Sequence, residues 1–577
     1  MLRRNFWSLL IAGGCMLASS AGAQSGSAAE IVHDAEYYVL EAQHGKKWAE
    51  QDKEIQNKLK ALRDKHGAPP NIIHVMWDDT PVGEVGIPHL QKNRGFETPN
   101  MNKFAAEGMY FTRMYTEPSC TPSRAAVLTG RLAVRSGMYT VGFPYEYGGL
   151  PADEVTIAEV LSDAGYATGF FGKAHQGDVE SASMTAQGFD EALWSPYNQV
   201  PSLYVPRAQR GVLTPGVLYP EMFPDDPYDM DKGWRPRGYV WALEGKKGGP
   251  VREFGSPPNE ADYYGLEREY YSRTVAFMKK NAQAKKPFFI AWWPQLNSFL
   301  NIAPDDKPRT LSYGVLQEGL ARVDELVGEL MVELKRAGVE ENTLVILMAD
   351  NGPMTHDGPP GMVEHIYRGG KGDFYEGAVR VPCFARWPGV IDSGQIVGDI
   401  VHITDLYTTF ANLGGAKDRI PTDRIVDGVD QTAVFLEGDT HSRRDSVFIY
   451  TGPELGGIVK GRYKRHVAGG KVGLSGAEFY DLYNDPREVQ GKMLPMFPAK
   501  GMFTIMKVRH EMMKKAYPDK NQTRDFPFKS VVNARPETIE ASKPRIAPDK
   551  KIPFDPREAI MQVPEWDNLE AGWSIGN

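Results

Sequence analysis

Between residues 70 and 350 the chain alternates two hydrophobic rhythms. Unbroken apolar runs occur in NIIHVMW (71–77), YATGFFG (166–172), KKPFFIAWW (285–293) and NTLVILMA (342–349). Runs this short and this uniformly apolar predict strands buried on both faces. Between them lie TIAEVLSDAG (156–165) and LARVDELVGELMVELKRAG (320–338), whose apolar residues recur at three- and four-residue spacings and predict helices. Strand and helix in alternation imply an α/β fold, a large mixed and mostly parallel sheet sandwiched by helices. In such sheets a site lies beyond the carboxyl ends of the strands, where the turns leaving several strands meet.

The flanks depart from this rhythm. Residues 31–66, within an extension running from 24 to 69, carry Trp48, Ile55, Leu59 and Leu62 on one helical face and predict an amphipathic helix packed on the main body. Over 177–262 the chain turns rich in proline, glycine and aromatic residues, as in WSPYNQVPSLYVPRAQRG and DMDKGWRPRGYVWALEG. An insertion of this length reads as a functional lid, and Trp194, Tyr197, Trp234, Tyr239 and Trp241 either line a cleft or pack the loop on itself. The principal domain is thus expected over 70–420. RDSVFIYT, IVKGRYKRHV and AEFYDLYNDP then read as strands of a smaller α+β domain over 421–490. Residues 491–577, with many prolines and charges and little periodicity, predict a tail that wraps the surface without a core of its own.

Residues 1–23 place Arg3 and Arg4 before an apolar run that ends in Ala21, Gly22 and Ala23, the pattern of an export leader cleaved before Gln24. The Arg3-Arg4-x-Phe6 spelling also permits a twin-arginine route, and Cys15 a lipoprotein. A periplasmic or secreted location is expected. No later run approaches the roughly 20 apolar residues needed to span a bilayer. With the leader gone only Cys120 and Cys383 remain, so no disulfide framework is available. The formal charge of -8, or -10 without Arg3 and Arg4, argues against nucleic acid or anionic lipid as partner. An anionic substrate would need a locally cationic pocket.

Three short stretches carry the chemistry. Asp78-Asp79 and Asp350-Asn351 each follow an apolar run and should emerge together at strand ends. Carboxylates converging there without basic partners would repel one another unless a cation lay between them. Hard oxygen donors suit Ca²⁺ or Mg²⁺, and no cluster with zinc spacing accompanies them. Cys120 opens SCTPSRAAVLTGR, where Pro122 fits only the first turn of a helix. The helix dipole, with Arg124 one turn on, would lower the thiol pKa. Yet a thiolate beside three carboxylates would be a poor nucleophile towards an anion.

Cys120-Thr121-Pro122-Ser123-Arg124, continued by Ala125-Ala126-Val127-Leu128-Thr129-Gly130-Arg131, resembles the signature of the type I sulfatases, whose Cys-x-Pro-x-Arg core directs conversion of the cysteine to formylglycine. PNIIHVMWDD, ETPNMNKFAAEGMYFTRMY, GYATGFFGKAH, LVILMADNGP, YRGGKGDFYEGAVRVPCFARWPG and FYDLYNDPRE resemble further blocks of that family in the same order, over about 70 to 490. The resemblance implies an alkaline-phosphatase-like fold, a maturation enzyme that generates the formylglycine, and Asp78, Asp79, Asp350 and Asn351 together with residue 120 around a Ca²⁺ ion. It implies that one hydroxyl of the hydrated aldehyde attacks sulfur while the other later expels sulfate. It assigns Arg124 to positioning residue 120, Lys173 and Lys371 to the sulfate oxygens, and His175 to the formylglycine hydroxyl.

The chain departs from the family pattern after the KKPFFIAWW strand, where a Pro-His pair is usual and its histidine protonates the leaving group. Here Pro294 is followed by Gln295, with Asn297 and Asn301 nearby. Either another histidine, such as His356, takes the role, or the leaving group departs unaided as a phenol does. Gln295, Asn297 and His356 are therefore expected on the substrate side. Ala174 stands where a tryptophan is common. Two rivals stay open: a phosphodiester or phosphonate monoester hydrolase of the same superfamily, and a sulfated-glycan binder without activity. His74 and Cys383 read as structural.

Overall fold

The four apolar runs become adjacent strands because each needs cover on both faces. Asn71–Trp77 pairs in parallel with Phe288–Trp293 on one side and Thr343–Ala349 on the other. Phe288–Trp293 in turn pairs in parallel with Ala167–Lys173, which pairs in parallel with Glu191–Ser195. Every residue of these five strands is buried except Glu191, which is half-buried. In the computed structural model, which describes residues 30–94, 96–142, 149–177, 179–197, 242–255, 260–296, 315–353, 365–467, 479–491, 497–520 and 557, they form the centre of a ten-stranded sheet. Its margins turn antiparallel. Cys383–Arg386 pairs with Thr343–Ala349, and Leu243–Lys246 with Glu191–Ser195.

Helices cover the sheet for the reason their periodicity predicts. Val315–Arg336 turns Leu320, Val323, Val327, Leu330 and Leu334 into the core, with each at 1% exposure or less. Ile157–Asp163 starts at a reciprocal cap, in which Glu159 N–H donates to Thr156 Oγ1 (3.3 Å) and Thr156 N–H to Glu159 Oε2 (2.7 Å). The N-terminal helix, Ala35–His66, buries Ile55 and Leu59 and half-buries Trp48 beneath the Arg443 guanidinium. The leader read in residues 1–23 lies outside the described residues. Among the described residues no helix is long and apolar enough to cross a membrane.

Beside a small three-stranded sheet of Met114–Tyr115, Arg380–Val381 and Val401–His402, a second main sheet, antiparallel, follows: Ser446–Thr451, Glu454–Lys460, Tyr463–His466 and Phe479–Asp481. Two expectations change here. The stretch read as aperiodic tail contains a 20-residue helix, Phe497–Ala516. Its Phe503 and Met506 pack on Phe448, Tyr450, Ile458 and Phe479, and Met513 packs on Ala35 and Tyr38 of the N-terminal helix. The 177–262 insertion, for its part, lends three strands to the main sheet, and Trp194 is wholly buried in the core instead of lining a cleft. Tyr197 is buried with its ring 6.0 Å from that of His175, while Trp234, Tyr239 and Trp241 lie outside the described residues.

Buried Glu154 and Lys520 brace the far end of the helix that starts at Cys120. Arg131, just past its end, donates to both oxygens of buried Glu154 (2.6 and 2.8 Å), and Lys520 Nζ reaches the same carboxylate at 2.8 Å. Although burial opposes ionisation, Arg131 and Lys520 draw the Glu154 pKa down to about 2. A carboxyl whose pKa is lower folded than unfolded stabilises the fold above its unfolded pKa, and that stability is lost as pH falls through the folded value. From about 4.5 to about 2, the contribution at neutral pH is about 3 kcal/mol. Glu154→Gln should therefore lower the unfolding free energy at pH 7 and flatten its acid limb between pH 4.5 and 2, as followed by urea titration at stepped pH.

Candidate active site

Because the central strands run parallel, their carboxyl ends deliver side chains to one place. Asn71–Trp77 leads into Asp78 and Asp79, and Thr343–Ala349 into Asp350 and Asn351. The two turns are stitched together by Asp350 N–H to the Trp77 carbonyl (3.0 Å) and Thr80 N–H to the Asn351 carbonyl (3.2 Å). Asp79 N–H also donates to Asp350 Oδ1 at 3.1 Å. Asp79 and His175 both sit at positive φ, 42° and 55°. Non-glycine residues tolerate that region when surrounding contacts impose it.

Cys120–Thr129 is the predicted helix, buried along its whole length, with Cys120 in its first turn. It ends at Gly130, whose φ of 69° and approach to the Tyr407 ring leave no room for a side chain. Arg124, fully buried, aims its guanidinium at the strand ends. It donates to Asp350 Oδ2 from Nε (3.0 Å) and Nη2 (2.7 Å), to Asp78 Oδ1 (3.3 Å) and to the Lys173 carbonyl (2.6 Å). Its cation also lies 5.3 Å from the centre of the Trp293 ring.

Lys173 Nζ donates to Asp78 Oδ1 at 2.6 Å, and Lys371 Nζ to both oxygens of Asp79 at 2.7 and 2.8 Å. The carboxylates therefore do have basic partners, contrary to the expectation from their spacing alone. Those partners come from distant strands and loops, so the pairing is a product of the fold. The charges act unevenly. Burial works against it, but Lys173, Lys371 and Arg124 hold the Asp78 carboxyl well below the usual range. Burial and then neighbouring Asp78 push Asp79 up and Asp350 up to about 7. The three cations thus compensate Asp78 better than Asp79 and Asp350.

The thiol behaves otherwise than a helix N-terminus predicts. Burial pushes the Cys120 pKa up, outweighing Lys173 and Lys371, and Asp78 and Asp79 push in the same direction. Arg124, expected to draw the thiol down, has its guanidinium on Asp350 and Asp78. Cys120 as a thiol is held protonated, which disfavours it as a nucleophile.

The donor set fits a hard divalent cation. Cys120 Sγ and one carboxylate oxygen each of Asp78 and Asp350 lie within 4.8 Å of one another, all buried. Asn351 donates its amide to Asp79 Oδ1 (2.7 Å) and to the Gly352 carbonyl (2.7 Å), while its buried Oδ1 has no hydrogen-bond partner among the described residues. A buried carbonyl oxygen so placed, beside carboxylates of raised pKa, has the chemistry of a ligand for a hard cation.

His175 is buried, with Nε2 2.8 Å from the Gly142 carbonyl. A carbonyl only accepts, so Nε2 carries the proton and Nδ1 keeps its lone pair; Nδ1 is buried and has no partner among the described residues. Burial, then Lys173, pushes the imidazole pKa well down, so it is neutral. Gly142 is held in turn by its N–H to Thr121 Oγ1 at 2.9 Å. Gln295 is buried just past Phe288–Trp293, and its backbone N–H donates to Glu267 Oε2 at 3.1 Å. Asn297 and His356 lie outside the described residues. Cys383 is buried in a strand, and His74 accepts from the Trp293 indole at 3.2 Å. Sequence reasoning missed Thr121, Gly142 and Glu267, for which neither spacing nor composition offers a signal.

The sulfatase family model matches residues 70–416. Arylsulfatase A of Homo sapiens is 35% identical over 407 residues, covering 69% of this chain and 75% of that protein. N-acetylgalactosamine-6-sulfatase of Canis lupus familiaris is 32% identical over 409 residues, covering 69% and 72%. Among solved structures, the PsFucS1 sulfatase from Pseudoalteromonas sp. superposes with a TM-score of 0.70 at 29% identity, covering 82% of this chain and 96% of that one. A family model that takes in more than half of the chain, and relatives this similar over more than two thirds of their own length, lead to one conclusion: the chain belongs to the sulfatase family and is a sulfuric ester hydrolase.

Proposed function

We propose that the enzyme cleaves aryl or carbohydrate sulfate monoesters with residue 120 in the formylglycine form, installed by a maturation enzyme, and with a Ca²⁺ ion, or Mg²⁺ in its place, held by Asp78, Asp79, Asp350 and Asn351. The observation that carries this reading is the convergence of Cys120 Sγ with Asp78 and Asp350 oxygens inside 4.8 Å, next to two lysines that both act on residue 120. Sγ marks where the nucleophilic oxygen would sit. A hydrated aldehyde supplies an oxygen nucleophile with a second hydroxyl for release of sulfate, and a divalent ion beside it supplies Lewis-acid polarisation.

The chain's own residues do the rest. Arg124 sets the spacing of Asp78 and Asp350 and, through the Lys173 carbonyl, the end of the strand that carries Lys173. Lys173 is fully buried while Lys371 keeps 13% of its side chain exposed, so the sulfate would enter from the Lys371 side. Both ammonium groups would meet the sulfate oxygens as charge shifts in the transition state. His175, neutral with its Nδ1 lone pair unshared, is suited to take a proton from residue 120 and not to bring one to the leaving group. This favours an ester whose alcohol departs unaided, as a phenolate does. Gln295, Asn297 and His356 would border that alcohol. The leader read in residues 1–23 makes the enzyme exported, to the periplasm or beyond.

Three outcomes test the reading. Peptide mass spectrometry of active enzyme should show residue 120 as the aldehyde, and Cys120→Ser should turn over very slowly or accumulate a sulfated form. An unmodified thiol in active enzyme, or wild-type rates in the serine variant, overturns it. Stripping divalent ions should abolish activity, and added Ca²⁺ should restore it and raise the unfolding temperature, since about 100 Kd of a ligand specific to the folded state adds about 2.7 kcal/mol. Full activity with an unchanged melting curve in stripped protein removes the metal. Finally, an aryl sulfate should be hydrolysed faster than the matching aryl phosphodiester; the reverse order assigns the site to phosphoryl chemistry.

A further inference from the structure

The Lys371 loop is held from behind by a buried ion cluster that belongs to the second sheet. Glu376 opens the short helix Glu376–Val379, five residues past Lys371, and is fully buried. Lys464, on Tyr463–His466, donates to Glu376 Oε1 at 3.0 Å and pairs with Glu488 Oε1 at 3.0 Å. Both lysine and glutamates are wholly buried. Glu488 closes the FYDLYNDPRE stretch singled out in the sequence, and its other oxygen accepts the Glu376 backbone N–H at 2.6 Å. His466 Nε2 meets Glu488 Oε1 at 2.7 Å, and Tyr115 donates its hydroxyl to Glu376 Oε2 at 2.8 Å. At the loop's entrance, Arg368 donates to the Glu488 carbonyl at 2.8 Å and lies over the Tyr375 ring. Glu488 adopts a φ of 52°, a conformation imposed by its contacts.

On its other side the loop meets the metal-site turns directly. Lys371 N–H donates to the Pro353 carbonyl (2.8 Å) and Gly372 N–H to the Pro118 carbonyl (2.7 Å), two residues before Cys120. Gly352 and Gly377 are in backbone contact, for a Cβ on Gly352 would lie 1.7 Å from the Gly377 oxygen. Any displacement of residues 368–377 is therefore transmitted to Lys371 and to the turn after Asn351.

We infer that Glu488 and Lys464 are positioning residues for the sulfatase reaction: through Glu376 and Arg368 they fix the loop that presents Lys371 to the sulfate group. The inference rests on the reading of Lys371 as a sulfate-binding cation. It gives the second sheet a function beyond folding, since Lys464 on one of its strands and Glu488 in the turn after its last strand complete the site from outside the main domain. A buried charged network that is fully satisfied suits such a task, because it has one good geometry and loses much when one member is removed.

The test uses the full-length, matured, metal-loaded enzyme and the variants Glu488→Gln and Arg368→Met, the second cutting the same tether from its exposed end. Amide hydrogen exchange over residues 368–376 should accelerate in both, while Ser446–Thr451 and Glu454–Lys460 keep wild-type protection. In parallel, kcat/KM for an aryl sulfate should fall roughly ten- to hundred-fold, and competitive inhibition by inorganic sulfate should weaken. Lys464→Arg, which keeps the charge between the two glutamates, should retain most of the activity. Unchanged exchange over 368–376 overturns the inference. So does a loss of protection spread over the whole second sheet with activity per folded molecule intact, the signature of a merely structural role. The exchange readout needs no substrate, so if wild-type enzyme neither binds sulfate nor cleaves its esters, the reading of Lys371 falls while the tether is still measured.

Discussion

Charge compensation in a space closed to water is the constraint on which the rest depends. Asp78, Asp79 and Asp350 are fully buried, and carboxylates in that condition persist only among cations. Arg124, Lys173 and Lys371 supply three positive charges from a helix, a strand end and a loop far apart in the chain. Each pair fixes two elements at once. Arg124 ties the Cys120 helix to both acidic turns and to the end of the Lys173 strand, so the helix cannot shift without breaking several short hydrogen bonds. Three against three is formally neutral. A divalent cation would turn the pocket positive, the sign that a sulfate monoester requires, in a chain whose overall charge is negative.

Much of this was readable in the residues. The unbroken apolar runs announced central parallel strands, and the polarity of such sheets put Asp78, Asp79, Asp350 and Asn351 at a common edge. Pro122 inside SCTPSR announced the first turn of a helix. The pairings were not readable, because Asp78 to Lys173 and Asp79 to Lys371 span 95 and 292 residues. For the same reason the thiol was misjudged: local sequence shows a helix start and an arginine, while burial, which dominates, is a property of the whole fold. Trp194 misled in the same way, since an aromatic residue in a Pro-rich stretch reads as loop although its backbone extends the sheet. The Phe497–Ala516 helix hid among lysines because its partners lie in strands and in the N-terminal helix, not beside it.

The ten-stranded and four-stranded sheets divide the labour unequally. The large one aims the reactive groups, and its register explains why Lys173 and Trp293 stand near each other: Gly172 pairs with Trp293, and Gly172 has no side chain because the neighbouring carbonyl would collide with one. The four-stranded antiparallel sheet stands behind the Lys371 loop. What it contributes is rigidity to the loop bearing Lys371, through Lys464 and Glu488. A lysine on a glycine-flanked loop is otherwise a mobile charge, and electrostatic stabilisation depends on charges that do not have to reorganise.

Burial of residue 120 also imposes a schedule. Cys120 is 1% exposed within a wholly buried helix. That helix is closed over by residues made much later, for Tyr407 packs on Gly130, Gly428 N–H bonds to the Gly130 carbonyl, and Asp427 pairs with Arg135. An agent that needs this segment unfolded must reach it while those residues are unmade or undocked. At ~5–20 residues per second, the roughly 300 residues between them take about 15–60 s to synthesise. The packing that orders the finished helix therefore gives such an agent an early interval, before residues 407–428 dock on it.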